Sequence, residues 1–109
     1  MRLSITEHHC GDAEIVVITG DIDMSTSPQV WEALHRCLAT HVALLMVDLT
    51  AVTFLGSSGL KLLARTARAP YTALRVAAHQ RAVLRPIQIT GLDQVLALFD
   101  TVEQAWASA

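Results

Sequence analysis

The pattern of apolar and polar positions along the chain predicts strands and helices in a regular order. Continuous or alternating apolar runs, typical of strands, occupy residues 3–6, 13–19, 44–49, 74–78 and 95–99. Apolar residues spaced three or four positions apart, typical of amphipathic helices, occupy residues 28–40, 57–68, 81–90 and 102–107. We therefore predict five strands and four helices, with a turn around Gly11 and Asp12 that joins the first two strands into a hairpin.

After this hairpin, strands and helices alternate along the chain. Such an order is typical of a mainly parallel five-stranded sheet with crossover helices, which belongs to the α/β class. Residues 15–18 (Ile-Val-Val-Ile) form a continuous β-branched run, as found in a central strand covered on both faces. Functional loops of such sheets follow the carboxyl ends of the strands, so we expect the site in the segment after residues 44–49.

The composition is that of one folding unit. The chain has 109 residues, of which 52% are apolar and 17% are charged. This length suits a single domain with its own core, and the apolar share excludes intrinsic disorder. No apolar run approaches the ~20 residues that cross a bilayer, and the first residues lack the apolar region of a signal peptide. We therefore expect a cytoplasmic protein without a membrane span.

The cysteines and histidines predict neither a metal site nor a cofactor. Cys10 and Cys37 lie 27 positions apart with no CxxC motif, which favours two free thiols in a reducing compartment. His8, His9 and Cys10 form a cluster in the sequence. Neighbouring residues in a strand point to opposite faces, however, and no second ligand group follows at zinc spacing.

The charges are distributed unevenly, although the formal net charge is only −2. Residues 1–48 carry a net charge of −5 and residues 93–109 a net charge of −3. Residues 49–92 contain no acidic residue and six basic ones: Lys61, Arg65, Arg68, Arg75, Arg81 and Arg85. This block predicts an acidic or phosphorylated partner surface. Direct binding to DNA is not expected, because no aromatic residues interleave with the basic ones.

Two adjacent serines carry the candidate chemistry. They lie in the stretch Gly56-Ser57-Ser58-Gly59, at the start of the second predicted helix. Either serine can cap this helix, and because a helix N-terminus stabilises anions, a serine there is well placed to carry a phosphate. A catalytic serine is the competing interpretation. The stretch is not a GxSxG elbow and no triad is evident, although His79 follows the fourth strand at the same edge, so we expect no enzymatic activity.

Three segments resemble those of one protein family. Residues 54–60 (Phe-Leu-Gly-Ser-Ser-Gly-Leu) closely resemble the phosphoacceptor loop of STAS-domain anti-sigma factor antagonists. Residues 20–23 (Gly-Asp-Ile-Asp), with Thr26, are similar to the Gly-Glu-Leu-Asp…Thr motif before the family's first helix. Residues 90–93 (Thr-Gly-Leu-Asp) resemble its Ser/Thr-Gly-Leu element. Because these segments occur in order over nearly the whole chain, residues 1–109 are identified as a single STAS domain.

The resemblance implies a bacterial partner-switching protein that regulates transcription in a stress response. In that family the unmodified antagonist binds an anti-sigma factor that is also a GHKL-type serine kinase, and this frees a sigma factor. Phosphorylation by the kinase ends complex formation, and a PP2C-type phosphatase resets the switch. The alternative is a STAS regulatory subunit of a lipid or anion transport complex.

The resemblance also implies roles for single residues. By motif position the phosphoacceptor is Ser57, with Ser58 as the alternative. Asp23 matches a family aspartate that lies near the acceptor, and Gly56 and Gly59 complete the support of the loop. The family usually has Asp immediately before the acceptor, whereas this sequence has Gly56. We expect Asp23 to position the acceptor loop rather than to stabilise the fold.

The second helix is the predicted partner-facing element. At about 100° per residue, its core face is expected to carry Leu60, Leu63, Ala64 and Ala67. The partner-binding surface is expected to comprise Ser58, Lys61, Leu62, Arg65 and Arg68. Within this surface, Leu62 is predicted to be an exposed apolar anchor beside the serines, with the basic residues as its charged rim.

Overall fold

Ten elements follow one another in the computed structural model, which describes residues 3–108. Arg2, which contributes to the net charge of residues 1–48, lies outside the described residues. The strands are β1 (Ser4–Cys10), β2 (Ala13–Ile22), β3 (Leu44–Leu55), β4 (Ala73–Ala77) and β5 (Ala97–Phe99). The helices are α1 (Ser27–Ala39), α2 (Ser57–Ala67), α3 (Arg81–Ile89) and α4 (Val102–Ala107), with a short 3-10 helix at Leu92–Gln94.

The five strands form one sheet in the order β1-β2-β3-β4-β5. β1 and β2 pair antiparallel, and the remaining neighbours pair parallel. The hairpin turn contains Gly11 with φ of 60°, a left-handed conformation that glycine adopts without strain. The predicted α/β class, the hairpin and the mainly parallel sheet are therefore confirmed.

β1, β2 and β3 are longer than the sequence pattern predicts. β2 continues to Ile22 and β3 to Leu55, where these two residues pair with each other. The extension passes a register irregularity at Gly20, whose φ is 109°. This extension of β2 and β3 is stabilised by pairing between the two strands, and the apolar pattern of one strand does not predict such pairing. As a result, α1 and α2 begin side by side at the end of the β2–β3 ladder.

The fifth strand was predicted too long. Residues 92–94 form the 3-10 helix, and only Ala97–Phe99 is a strand. Gly91 precedes this helix with φ of 78° and so redirects the chain after α3. The apolar residue Val95, predicted as the first residue of the strand, is 63% exposed.

The main core lies on one face of the sheet. Register places Val16, Val47 and Val76 in one row across three strands, and all three are fully buried. The same cluster contains residues from three helices: Val30, Leu34, Leu62, Leu63, Val83 and Ile87. Alternation turns Arg75 to the opposite face, where its Nη1 donates to the carbonyl oxygen of Ala105 in α4 at 2.7 Å. Helices α1–α3 thus cover one face and α4 contacts the other.

The predicted exposure of Leu62 is wrong. Leu62 is only 6% exposed and belongs to the core cluster, whereas Leu60 and Ala64 are half-buried. The buried residues of α2 are Gly59, Leu62, Leu63 and Thr66. A polar residue can lie on this face because the Thr66 hydroxyl donates to the carbonyl oxygen of Leu62 at 2.7 Å. Since α2 packs against α1 as well as the sheet, its buried face is rotated from the one that apolar spacing indicates.

No helix within residues 3–108 is long and apolar enough to cross a membrane. The longest, α1, has 13 residues, which is shorter than the ~20 that a bilayer core requires.

Candidate functional site

The starts of α1 and α2 form one site at the edge of the sheet. The backbone N–H of Gly56 donates to the carbonyl oxygen of Ile22 at 2.9 Å, which holds the beginning of α2 against the end of β2. A recess of about 450 Å³ lies between the two helix starts. Its lining comprises Asp23, Met24, Ser25, Phe54, Gly56, Ser57 and Ser58. The structure therefore brings Asp23 together with both candidate serines, as expected.

Asp23 organises the turn that leads into α1. Its Oδ1 accepts hydrogen bonds from the backbone N–H groups of Ser25 (2.9 Å) and Thr26 (3.1 Å). The same oxygen accepts from the Ser25 hydroxyl at 2.7 Å. The hydrogen bond from the Ser25 side chain and those from Thr26 and the Ser25 backbone lower the pKa of the Asp23 carboxyl, because they stabilise its charged form. Because Asp23 accepts the hydrogen bonds that order this turn, we expect it to stabilise the turn in addition to lying beside the acceptor loop.

Thr26 completes the turn. Its hydroxyl donates to the carbonyl oxygen of Asp21 at 2.8 Å and accepts from the backbone N–H of Asp23 at 2.9 Å. Residues 20–23 and Thr26, which resemble one family motif, thus form a local hydrogen-bonded unit.

The start of α2 has no comparable network. Gly56 is the N-cap residue, in an extended conformation with φ of −87°, and no side chain caps the helix. Neither Ser57 nor Ser58 therefore caps α2, although the sequence allowed either to do so. Ser57 is exposed, whereas the Oγ of Ser58 is buried and has no hydrogen-bond partner among residues 3–108. The two serines thus differ in access to solvent and to a partner.

The two glycines of the loop leave different amounts of space. A Cβ at Gly59 would lie 2.5 Å from Leu55 Cδ1 and 2.8 Å from Ile22 Cγ2, so no side chain fits there without a shift. This close approach places the first turn of α2 against β2 and β3. A Cβ at Gly56 would lie 3.1 Å from Phe54 Cε2. The Phe54 ring thus stands beside the Cβ position of any residue that replaces Gly56.

Two exposed apolar residues flank the serines and were missed from the sequence. Met24 is 83% exposed and Phe54 is 51% exposed, and both line the recess. The signal for Phe54 is its outward position in the alternation of β3, next to the buried Leu55. The signal for Met24 is an apolar residue within an otherwise polar turn.

The predicted basic stripe lies on the surface of α2. Lys61, Arg65 and Arg68 are all exposed, as the helical spacing indicates. Arg65 places its guanidinium carbon 4.3 Å from the centre of the Trp31 ring on α1.

The remaining candidate groups do not join the site. Cys10 and Cys37 are free thiols, and burial, followed by the charges of Glu7 and Glu14, raises the pKa of Cys37 to about 11. Among the described residues, Glu7, Glu14 and Cys37 offer one metal donor atom each, all within 4.8 Å of one another. Arg36 already pairs with Glu7 at 2.6 Å, and we assign no metal to this cluster.

His79 does not complete a catalytic triad in the described residues. It is exposed after β4, and its backbone N–H donates to Oε1 of Gln80 at 3.4 Å. Its imidazole makes no hydrogen bond to Ser57 within residues 3–108.

Comparison with known proteins defines the class to which this fold and loop belong. The model of the STAS domain family matches residues 5–105. The chain therefore belongs to the STAS domain family.

Two similar proteins within this family are named as anti-sigma factor antagonists. The anti-sigma-F factor antagonist RsfB of Mycobacterium tuberculosis is 34% identical over 107 residues, covering 96% of this chain and 86% of RsfB. The crystal structure of an anti-sigma factor antagonist from Mycobacterium paratuberculosis superposes with a TM-score of 0.92 at 36% identity, covering 96% of this chain and 92% of that one. SpoIIAA of Bacillus in its phosphorylated form gives a TM-score of 0.70 at 14% identity, covering 94% and 96%, which shows a shared fold.

Proposed function

We propose that this protein is an anti-sigma factor antagonist that acts by binding, without catalysis of its own. The proposal is supported by two relatives that are more than 30% identical over nearly the whole chain, both named as anti-sigma factor antagonists. In its unmodified form it binds an anti-sigma factor that is also a GHKL-type serine kinase, and this frees a sigma factor.

Ser57 is the phosphoacceptor in this proposal. The observation that carries it is the difference between the serines: Ser57 is exposed at the first turn of α2, whereas the Ser58 hydroxyl is buried. A kinase must bring the γ-phosphorus of ATP within bonding distance of the serine oxygen. The Ser57 oxygen then forms the new bond to phosphorus, ADP leaves, and the kinase accepts the hydroxyl proton. Ser58 would have to leave its packed position before the same reaction.

The uncapped start of α2 suits a switch of this kind. A phosphate on Ser57 adds about −1.5 to −2 charge beside unpaired helix N–H groups and four residues before Lys61. The helix dipole favours that charge, so the domain itself stays folded. A partner packed on the same recess would have to desolvate the phosphate, so the complex dissociates. A PP2C-type phosphatase then restores the unmodified form. SpoIIAA, which shares the fold, is known in phosphorylated and unphosphorylated forms.

Met24 and Phe54 supply the apolar contacts of this partner surface. They take the role that the sequence analysis assigned to Leu62, because they are exposed beside Ser57 and Leu62 is not. Exposed apolar side chains with a polar surround are the usual composition of a binding patch.

Incubation with Mg-ATP and the cognate anti-sigma factor kinase tests the proposal. Intact-mass analysis should show one added phosphate on the wild type and on Ser58→Ala, and none on Ser57→Ala. Binding of the anti-sigma factor should be retained by Ser57→Ala and strongly weakened by Ser57→Glu. Modification of Ser57→Ala, or equal binding by both variants, would overturn the assignment. Binding to a transport protein without any modification would favour the alternative of a transport-complex subunit.

A further inference from the structure

A groove between α1 and α2 extends away from Ser58 along both helices. It consists of two recesses of about 350 and 430 Å³, and both are lined by Trp31 and Arg65. The first recess includes Ser58 and the second reaches Arg68 and Tyr71. From Ser58 to Arg68 the wall formed by α2 is ~15 Å long at 1.5 Å per residue. This length accommodates about four or five residues of an extended chain.

One wall of the groove carries three cations without counterions. Lys61, Arg65 and Arg68 are spaced at i, i+4 and i+7, so they follow one face of α2. None of them makes an ion pair within residues 3–108, and no carboxylate lines either recess. Arg36 on α1 differs, because it pairs with Glu7 at 2.6 Å and Glu32 at 3.3 Å. The positive charge of the groove is therefore available to a ligand.

The aromatic residues of the groove add an apolar contact and hold one cation in place. Trp31 is half-buried and lies under the Arg65 guanidinium at 4.3 Å, which restricts the conformations of a long side chain. Tyr71 is 66% exposed at the far end and stacks on His41 with ring centres 4.3 Å apart. A ligand thus loses less conformational entropy from Arg65 when it binds.

We propose that this groove binds an acidic segment of a partner protein. Carboxylates of the segment pair with Lys61, Arg65 and Arg68, and an apolar side chain between them packs against Trp31. The argument for this occupant is charge complementarity, since the groove presents three unpaired cations and no carboxylate. The inference rests on the proposed function in that the partner is a regulatory protein, but it does not require modification of Ser57.

A fluorescence titration tests the groove directly. The chain has two tryptophans, so the background Trp106→Phe leaves Trp31 as the reporter. The probe is an acetylated and amidated peptide of about ten residues in which Glu and Leu alternate, which exceeds the groove length estimated above. We expect saturable quenching or a shift of the Trp31 emission that weakens with added salt. The same peptide with Gln in place of each Glu should not bind.

Charge reversals decide where the peptide binds. Arg65→Glu/Arg68→Glu should raise the Kd by about tenfold or more. The matched control Arg81→Glu/Arg85→Glu makes the same change in net charge at two exposed positions of α3 that line neither recess, and should change the Kd less than about twofold. If the first variant is not folded, Arg65→Gln/Arg68→Gln replaces it, with the same direction of effect.

Equal weakening by both pairs, no change in either, or absence of binding would each overturn the proposal. These outcomes are distinguishable from failure of the proposed function. Ser57 phosphorylation together with unchanged peptide binding by Arg65→Glu/Arg68→Glu contradicts the groove alone. Groove-dependent binding of the peptide without any modification of Ser57 contradicts the phosphoacceptor assignment alone.

Discussion

The starts of α1 and α2 lie side by side at one edge of the sheet, yet they are built in opposite ways. Before α1, Asp23 accepts three hydrogen bonds through one carboxylate oxygen, and Thr26 adds two more. Before α2, Gly56 offers no side chain, Ser57 is exposed and the Ser58 hydroxyl has no partner within the described residues. Side-chain hydrogen bonds hold the turn before α1, whereas no side chain caps the start of α2.

The turn before α1 therefore has the features of a stabilising element, and the loop before α2 has those of a binding loop. The first amides of any helix lack partners inside the helix, so they are satisfied by a cap, by water or by a ligand. Before α1, the backbone carbonyl oxygen of Asp23 accepts from the N–H of Ser27 at 2.8 Å, and the Asp23 and Thr26 side chains hold the turn that precedes the helix. The open start of α2 keeps its donors available and is held instead by packing of Gly59 and Leu62. Five substitutions test whether α2 depends on burial and α1 on its polar turn.

Leu62→Ala should have the largest effect on stability. The side chain is 6% exposed within the core, so its truncation leaves a cavity that costs about 2–5 kcal/mol. Chemical denaturation measures the loss. Lys61→Ala is the control at the neighbouring exposed position, with an expected change within about 0.5 kcal/mol. A stable Leu62→Ala variant with weakened partner binding would restore the original interpretation of an exposed anchor.

Gly59→Ala should be the next most destabilising change. The added methyl group would meet Leu55 and Ile22 at 2.5 and 2.8 Å, and such overpacking costs about 1–3 kcal/mol before a gain in helix propensity of about 1 kcal/mol. The control is Gly56→Ala, where the new methyl group would lie 3.1 Å from the exposed Phe54 ring and 3.5 Å from the carbonyl oxygen of Ile22. Equal stability of the two variants would show that Gly59 does not position α2.

Asp23→Ala should lower the thermal unfolding midpoint at neutral pH by roughly a few degrees, because the turn before α1 loses its acceptor. The pKa of this carboxyl is lowered in the folded state, so its stabilisation is present above the ordinary value of 3.8 and is lost as pH falls from there through the folded pKa. The difference between wild type and variant should therefore shrink in acid. Asp23→Asn, which keeps a side-chain oxygen, should be intermediate.

The two serines should give the smallest changes in stability. Ser57→Ala alters an exposed residue and should change the free energy of unfolding by less than about 0.5 kcal/mol. Ser58→Ala removes a buried hydroxyl without a partner and should stabilise the protein by up to about 1 kcal/mol. Denaturation curves measured side by side make this comparison. Destabilisation by Ser58→Ala would show that its hydroxyl has a partner in solution.

Elements that depend on local pattern were predicted closely. The four helices, the hairpin and the alternation of strands and helices along the chain follow from periodicity and turn residues, which act over a few neighbouring positions. The family resemblance implied that Asp23 lies near the acceptor, and in the structure both line one recess at the ends of β2 and β3. The extension of β2 to Ile22 and β3 to Leu55 did not follow from the pattern, because it depends on pairing between them.

By itself, the sequence determined the α/β class, the family motifs at residues 20–26, 54–60 and 90–93, and the loop that holds the candidate acceptor. Only the tertiary structure decided which side chains of that loop are accessible. Leu62 is buried because α2 packs against α1 and the sheet together, and Ser57 and Ser58 differ because the first turn is pressed against Ile22 and Leu55. Exposure depends on neighbours that are distant in the chain, so it follows from packing rather than from local spacing.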